Sequence, residues 1–531
     1  MKRFFILTFS LCLVGGTLFA TGSSQAGSPS SGVTGEFTAT YIRGSYGGDP
    51  NEMILYKALE QDTKVKVNWV IIPETIWPER KNILINSGDM PDVFYMNTYT
   101  NVELDRYGRQ GLFLDLTNHI KQFAPNLQKI LGEYPVFKAA ITNPADGKIY
   151  SVRGMNNRLP SGTTGQMFLY QPWLDKLGLK MPTTYLEFEE VLRAFKTRDP
   201  NGNGRADEFP YVFGNGWSGN SSLQQLFAMF GYGYQGTRSG IDSFVEDMNG
   251  RAVFVPGTEN YKEAIIWLHK LFSEGLFAEE DYAAMDNSLL LAKTFSDVVV
   301  AGGFGAFHKT SAYAPAERFN DYVRISVPMK GPHGEQIYVR NNKIMGLTGG
   351  GLIITQKAER KVPDIMRWLD AHFETRRSIQ MALGPIGVTL EEKPSGIIGY
   401  KPTPADTTYN QFRYGNCPVD APFFIAPQSW GSIIDFMEED IDRIPWVQND
   451  LAPYFTQYFI YSYPVANETT FIQGRGQEIE NYVKTTQAKW LMQGGIESEW
   501  NAFQARLRDM GVEEYTRIMQ NQIDRFVQYS K

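Results

Sequence analysis

Cysteine is nearly absent from this chain of 531 residues, which contains two, Cys12 and Cys417. Cys12 lies inside an apolar N-terminal stretch, so removal of that stretch would leave only Cys417 and exclude an internal disulfide. Leu11 is too large to precede a lipid-bearing cysteine, and no other cysteine stands near a cleavage point. A lone thiol in an oxidising compartment is tolerable if it is buried.

Histidines and basic runs are also scarce, and this disfavours several classes of function. The five histidines are scattered and form no H-E-x-x-H pattern, so a zinc site is not indicated. The net charge is −7 and there is no long basic run, which argues against nucleic acid as a partner. The glycine clusters at 302–305 and 349–351 lack the Lys-Ser/Thr that follows the glycines of a phosphate-binding loop. Residues 216–219 differ by one position from the G-x-S-x-G pattern of a nucleophilic serine. We therefore expect no enzymatic activity.

Long hydrophobic runs are missing outside the N-terminus. Lys2 and Arg3 precede an apolar segment, Phe4 to Val14, which is typical of a secretory signal and too short to span a membrane. Cleavage is expected after Ala20 or Ala26, so residues 1–26 are assigned to the signal peptide and the start of a linker. Residues 27–35 continue as a flexible, Gly- and Ser-rich linker. Because an unanchored protein would diffuse away from a single-membrane cell, we expect a periplasmic location.

The hydrophobic pattern predicts an α/β fold. Residues 36–42, 64–72 and 92–96 alternate as strands, and helical periods at 51–61 and around 77–84 separate them. This βαβαβ order indicates a parallel sheet flanked by helices. Further helices are predicted at 171–199 in two pieces, at 260–274 and at 475–530, and buried strands at 298–305 and 351–355.

The sharpest local pattern is an oxygen-rich loop that begins at Asp199. Side-chain or carbonyl oxygens fall at the spacing that Ca²⁺ needs, with Gly204 at the sharp turn. The candidate ligands are Asp199, Asn201, Asn203, Arg205 through its carbonyl, Asp207 and Glu208. Position twelve of the EF-hand pattern is Pro210 instead of Glu, so the last carboxylate would have to come from Asp207 or Glu208. The alternative is a simple polar turn after a helix.

Several blocks together resemble the family 1 extracellular solute-binding proteins of ABC importers. They are Trp173 to Thr184, Phe195-Lys196, the Asp199 loop, Leu271 to Leu276, Gly384 to Val388, and Asp524-Arg525-Phe526. The branch most similar contains alginate oligosaccharide-binding periplasmic proteins. Many relatives carry a basic and an acidic residue just before the tryptophan, where this chain has Tyr170-Gln171-Pro172. Many relatives also carry a lipid-bearing cysteine, which is missing here.

The resemblance implies a two-lobed periplasmic binding protein fold of type II-like topology, in which each lobe has a central, mostly parallel sheet and a hinged cleft lies between the lobes. We assign 36–152 plus about 300–390 to an N-lobe, and about 153–299 plus 391–531 to a C-lobe. The implied function is capture of an oligosaccharide, acidic or neutral, for delivery to permease subunits in the inner membrane. Structural Ca²⁺ in the Asp199 loop and a monomeric state are also expected.

Candidate ligand contacts are polar and aromatic residues that follow strands, because open α/β sheets bind ligands at the carboxyl ends of their strands. Sugars offer hydroxyl groups and apolar ring faces to such side chains. The candidates are Arg43, Tyr46, Asn97, Tyr99, Asn156, Trp217, Phe304, His308 and Trp430. An aromatic ring in a loop can equally fill the edge of a core, and Arg43 can equally form a surface ion pair.

A second function from another class stays open on the sequence alone. A secreted, calcium-containing polysaccharide-degrading enzyme would also use a calcium loop and exposed tryptophans. Release of product from an oligosaccharide would favour the enzyme, whereas stabilisation without turnover would favour the binding protein.

Overall fold

The computed structural model describes most of the chain beyond residue 32. The described ranges are 33–44, 46–96, 99–156, 166–213, 221–232, 244–283, 287–306, 313–315, 317–338, 347–407, 409–418, 420–436, 441, 443–455 and 464–529. The predicted signal peptide and most of the predicted linker lie outside these ranges. In the part of the chain that is described, no helix has the length and apolar character needed to cross a membrane.

The structure contains strands and helices in mixed order. The strands are β1 (Gly35–Arg43), β2 (Val65–Pro73), β3 (Val93–Tyr95), β4 (Val152–Asn156), β5 (Gln166–Tyr170), β6 (Val245–Met248), β7 (Arg251–Phe254), β8 (Gly303–Ala306), β9 (Tyr322–Arg324), β10 (Leu347–Ile354), β11 (Leu390–Glu392), β12 (Ile398–Tyr400) and β13 (Phe424–Ile425).

The helices up to residue 414 are α1 (Ile54–Thr63), α2 (Trp77–Ser87), α3 (Asn101–Arg109), α4 (Thr117–Phe123), α5 (Pro125–Glu133), α6 (Pro135–Ile141), α7 (Gln171–Leu177), α8 (Tyr185–Thr197), α9 (Ser221–Ala228), α10 (Glu259–Ser273), α11 (Glu279–Ala283), α12 (Ser288–Thr294), α13 (Val362–Ala371), α14 (Thr375–Leu383) and α15 (Tyr409–Tyr414). The later helices are α16 (Arg443–Pro445), α17 (Ala466–Phe471), α18 (Gln477–Gln493), α19 (Ile496–Met510) and α20 (Val512–Tyr529).

The larger sheet has the strand order β13-β4-β10-β3-β1-β2. β1 is parallel to both β2 and β3, and β4 is parallel to β13. β10 comes from much later in the chain and runs antiparallel between β3 and β4. The predicted βαβαβ unit is therefore confirmed, because β1, α1, β2, α2 and β3 follow one another as the hydrophobic pattern indicated.

The smaller sheet is built around β5, which pairs with β8 on one side and β9 on the other. Both of these ladders are antiparallel. A parallel bridge between Val212 and Phe304 extends the sheet beyond β8. The mostly parallel character predicted for both lobes thus describes the larger sheet, whereas the described ladders of the smaller sheet run antiparallel.

Two large hydrophobic cores with no shared residue define the two lobes. One core surrounds the larger sheet and includes Phe37, Trp368 and Ile434, and the other surrounds the smaller sheet and includes Trp173 and Trp490. The predicted boundaries near 300 and 390 are wrong. β8 and β9 pair with β5 in the C-lobe, and β13 pairs with β4 in the N-lobe, so both crossings lie later in the chain. A hydrophobic pattern identifies a strand but does not show which sheet it joins.

Helix α8 begins where the sequence predicted a cap. The Thr184 hydroxyl accepts a hydrogen bond from the Glu187 backbone N–H at 3.2 Å, which satisfies one of the free donors of the first turn. We expect Thr184→Ala to lower the free energy of unfolding by about 1 kcal/mol, measured by urea denaturation. Thr184→Ser keeps the hydroxyl and serves as the control; an equal loss in both variants would show that the cap is not the cause.

Candidate functional site

The carboxyl ends of the parallel strands in the N-lobe meet at one edge of the sheet. β1 ends there at Arg43, β4 at Asn156 and β13 at Ile425, and the antiparallel β10 begins there at Leu347. β4 ends at this edge with Asn156. The next described residue is Gln166, the first residue of β5, which is the central strand of the C-lobe sheet. This edge is therefore the side of the N-lobe from which the chain crosses to the C-lobe, and ligands of open α/β sheets bind at such edges.

Arg43 and Tyr46, both predicted contacts, lie together at this edge. Arg43 is exposed, and its Nε donates to the carbonyl oxygen of Gly47 at 2.7 Å. The Tyr46 side chain is 55% exposed, which leaves a ring face available. A Cβ placed on Gly415 would lie 4.0 Å from the Tyr46 carbonyl oxygen, so the segment 409–420 packs beside this loop.

Arg413, which the sequence analysis missed, is the central side chain of that segment. Its guanidinium carbon lies 5.0 Å from the centre of the Tyr414 ring and 5.9 Å from that of Tyr409. This range permits attraction between the cation and the ring faces. Within the described residues, Nε of Arg413 is buried and has no hydrogen-bond partner. A planar donor held by aromatic rings with an unused N–H is suited to binding a hydroxyl-rich ligand.

Asp420 and Glu74 place carboxylates near Arg413. Asp420 packs closely against β10. If Gly350 in β10 carried a Cβ atom, that atom would lie 2.5 Å from the Asp420 carbonyl oxygen. The Asp420 side chain is reached by solvent, yet partial burial raises the pKa of its carboxyl; Arg413 opposes this rise and Glu74 adds to it. Glu74 is exposed, and its Oε2 would lie 3.1 Å from a Cβ on Gly44.

Cys417 belongs to this segment and its side chain is 1% exposed, which meets the condition under which a lone thiol is tolerated. Burial raises the pKa of the thiol to about 12 in spite of the opposing charge of Arg413. The neutral thiol is a packing group and a poor nucleophile.

The other predicted contacts divide into three groups. Asn156 is at the sheet edge, and within the described residues its buried Oδ1 has no hydrogen-bond partner. Asn97, Trp217 and His308 lie outside the described residues. Tyr99, Phe304 and Trp430 are 3%, 1% and 6% exposed.

The expectation that these last three rings face a ligand is corrected by their packing. Tyr99 contacts Phe94 at a ring-centre distance of 5.3 Å. Phe304 lies 4.8 Å from Tyr322 by the same measure, and Trp430 stacks on Phe436 at 6.3 Å. Tyr99 and Trp430 follow strands and Phe304 lies within β8, and each ring fills the end of a core, which was the alternative for any of these aromatic residues.

The facing C-lobe contributes a second polar group at the start of β5. The Arg324 Nε donates to Gln166 Oε1 at 2.6 Å, and the guanidinium carbon lies 4.3 Å from the centre of the Trp446 ring. Trp446 begins a π-helix, Trp446–Leu451, a rare geometry that is frequent at functional sites. Nothing in the local sequence of these three residues indicates that they meet.

The Asp199 loop has the curled backbone that its sequence predicted. Asp199 has φ of 44°, and Gly202 and Gly204 have φ of 74° and 73°. The Asp199 carboxylate accepts backbone N–H groups from Gly202 at 2.9 Å, Asn203 at 3.1 Å and Gly204 at 3.0 Å. These bonds wrap the backbone around the Asp199 side chain.

The remaining oxygens of the loop are also close together. The amides of Asn201 and Asn203 donate to the Asp207 carboxylate at 2.9 and 3.0 Å, and rotation of each amide would present its oxygen instead. Among the described residues, the buried Oε1 of Glu208 has no hydrogen-bond partner. Its burial, together with the charges of Asp207 and Asp199, raises the pKa of the Glu208 carboxyl. A cation would compensate this orphaned acceptor, so the donor set fits Ca²⁺.

Across the described ranges, no group of three or more His, Cys, Asp or Glu is arranged to hold a metal ion. The loop would therefore depend on its amide and carbonyl oxygens as well as its carboxylates, as Ca²⁺ sites do.

The two lobes and the polar edge of the N-lobe sheet are the arrangement of the solute-binding proteins to which this chain is similar. No family model matches the chain. It is 28% identical to the fructooligosaccharide ABC transporter substrate-binding protein FusA of Streptococcus pneumoniae over 494 residues, 90% of this chain and 88% of the relative. The polygalacturonan/rhamnogalacturonan-binding protein YtcQ of Bacillus subtilis is 24% identical over 276 residues, 51% of each chain.

Solved structures support the same assignment. FusA in complex with kestose superposes with a TM-score of 0.76 and 26% identity over 93% of this chain and 99% of that chain. An extracellular solute-binding protein from Bifidobacterium longum subsp. infantis gives 0.77 and 25% over 92% and 98%. The alginate-binding protein AlgQ2 shares the fold with a TM-score of 0.67 at 19% identity over 92% and 98%. The chain is a homologue of the ABC-transporter substrate-binding proteins, which confirms the resemblance found in its sequence.

Proposed function

We propose that this chain captures an oligosaccharide between its two lobes and delivers it to the permease subunits of an ABC importer. The observation that carries the proposal is the polar edge of the N-lobe sheet beside the crossing to the C-lobe. Within the described residues, Asn156 Oδ1 and Arg413 Nε have no hydrogen-bond partner there, and Asp420 is exposed. The relative FusA, which matches over most of its length, is named for fructooligosaccharide binding.

The roles of the residues follow from the chemistry of sugars. Carboxylate oxygens of Asp420 accept hydroxyl hydrogen bonds, and the guanidinium of Arg413 donates to hydroxyl oxygens. The exposed ring of Tyr46 offers an apolar face for a sugar ring. In the C-lobe, Gln166 and Arg324 supply hydrogen-bonding groups from the opposite side when the lobes close.

The Asp199 loop would hold structural Ca²⁺ through the candidate ligands given above. The ion would neutralise the carboxylates of Asp199, Asp207 and Glu208 and fix the connection between α8 and the segment around Phe209. Phe209 forms a parallel bridge with Ala301, two residues before β8, so the loop is tied to the C-lobe sheet. In this proposal the ion would brace the C-lobe and would lie away from the sugar.

The chain would act outside the cytoplasm as a monomer and without enzymatic turnover. The apolar segment after Lys2 and Arg3 supports export, and the described residues contain no membrane-crossing helix. The two relatives reported above are both named as binding proteins, which favours binding over hydrolysis.

Titration calorimetry with kestose and nystose tests the proposal directly. We expect saturable binding with a dissociation constant in the micromolar range or below, and a rise in melting temperature on saturation. Chromatography of the sugar after prolonged incubation is expected to show it unchanged. Cleaved sugar would favour the hydrolytic enzyme, and an absence of binding to every oligosaccharide in a broad panel would refute the proposal.

A further inference from the structure

The N-lobe edge carries charged groups of both signs at close quarters. The loop that carries Arg43 and Asp49 packs on the segment that carries Arg413 and Asp420, where the Gly48 backbone N–H donates to the Tyr414 carbonyl oxygen at 3.3 Å. Glu74 is beside the same loop, because its Oε2 would lie 3.1 Å from a Cβ on Gly44. Two of these charged side chains are cationic and three are anionic. We call these five side chains the charged recess.

Each cation of the charged recess already lies close to other groups of the protein. The Nε of Arg43 donates to Gly47, and the next residue, Gly44, is beside the carboxylate of Glu74. The guanidinium of Arg413 lies over the rings of Tyr409 and Tyr414. Its charge opposes the rise that burial causes in the pKa of the Asp420 carboxyl. The recess therefore offers no surplus of positive charge to an incoming anion.

We propose that the charged recess selects uncharged oligosaccharides and rejects those made of uronic acids. The inference rests on the proposed function and specifies its substrate class. A neutral sugar can donate hydroxyl hydrogen bonds to Glu74 and Asp420 and accept them from Arg413, so groups of both signs are used. A uronic acid brings a carboxylate toward two carboxylates, and like charges at short range oppose binding.

The decisive measurement compares sugars that differ in charge but not in backbone. Trigalacturonate and its fully methyl-esterified form make such a pair, and kestose, nystose and maltotriose extend the neutral set. For the wild-type protein we expect a neutral sugar to bind more tightly than trigalacturonate, and the ester to bind about 3- to 10-fold more tightly than the acid. Equal or tighter binding of the acid would overturn the inference and leave the proposed function intact.

A double variant tests the cause. In Glu74→Gln/Asp420→Asn the recess keeps both cations and loses two of its three anions, so the ratio of ester to acid affinity is expected to fall to one or below. Asp89→Asn, which changes an exposed carboxylate just before the amino end of β3, is the control and should keep the wild-type ratio. An unchanged ratio in the double variant, with a melting curve that shows it folded, would overturn the inference. A wild-type protein that binds no sugar at all would overturn both this inference and the proposed function.

Discussion

Replacing Asp420 by asparagine is expected to weaken oligosaccharide binding by about 10- to 100-fold and to raise the melting temperature of the free protein. Affinity is expected to fall because a hydrogen bond from a sugar hydroxyl to the Asp420 carboxylate contributes about 1.5–3 kcal/mol. The asparagine amide is a weaker acceptor. Titration calorimetry measures the first effect and scanning calorimetry the second.

The gain in stability has a definite dependence on pH. Burial raises the pKa of Asp420 above its unfolded value, so the folded state is favoured while the carboxyl is protonated and loses that advantage as the pH rises through the raised pKa. The asparagine variant lacks this loss. Its stability relative to wild type is therefore expected to increase as the pH rises above about 4, the ordinary pKa of an aspartate.

A result opposite to the expected one, in sugar affinity or in melting temperature, would change the role assigned to Asp420. Asp89→Asn is again the matched control, because Asp89 is exposed and precedes β3 at the end of the sheet away from the candidate site. If Asp420→Asn binds sugar as wild type does, Asp420 is not a contact. If it binds weakly but is also less stable, the carboxylate has a structural role that its surroundings do not reveal.

Removal of calcium is expected to destabilise the protein substantially. A ligand present at 100 times its dissociation constant stabilises the folded state by about 2.7 kcal/mol. Loss of that contribution would lower the melting temperature of the C-lobe by roughly 5–10 °C. Scanning calorimetry of the protein in excess calcium and after treatment with a chelator measures the difference.

Glu208→Gln should remove most of this calcium dependence, because it deletes a charge and one of the proposed ligand oxygens. In the presence of chelator the same variant should be at least as stable as wild type, since the buried Oε1 of Glu208 lacks a partner within the described residues. Glu279→Gln alters an exposed carboxylate near the loop and should keep the full calcium effect. Identical melting curves with calcium and with chelator for the wild-type protein would refute the calcium site.

The parts of the fold that local sequence controls could be predicted. The Asp199 loop depends on residues within one short segment, and glycine positions such as Gly204 fix its curvature, so spacing alone indicated its shape. The same holds for the cap at Thr184 and for the breaks at Gly494 and Gly511 between the C-terminal helices. In each case the interactions connect residues that are a few positions apart.

The candidate ligand site could be predicted only in part, because distant segments assemble it. Arg43 and Tyr46 follow a strand and were identified on that basis. Arg413 and Asp420 belong to a helix and a turn far along the chain, and they reach the site because the segment 409–420 packs beside β1 and β10. Tyr99 follows β3 and Phe304 lies within β8, and in both cases the ring packs in a core and does not face a ligand.

The position of β10 has a consequence for how the protein can be divided. β10 is the antiparallel neighbour of both β3 and β4, yet it is synthesised only after most of the C-lobe. A fragment that ends near Asn156 would leave β3 and β4 with open edges, and unpaired edges promote aggregation. Expression of the first 156 residues alone should therefore give an insoluble product, whereas supplying the segment 347–436 through a short linker should restore a soluble lobe.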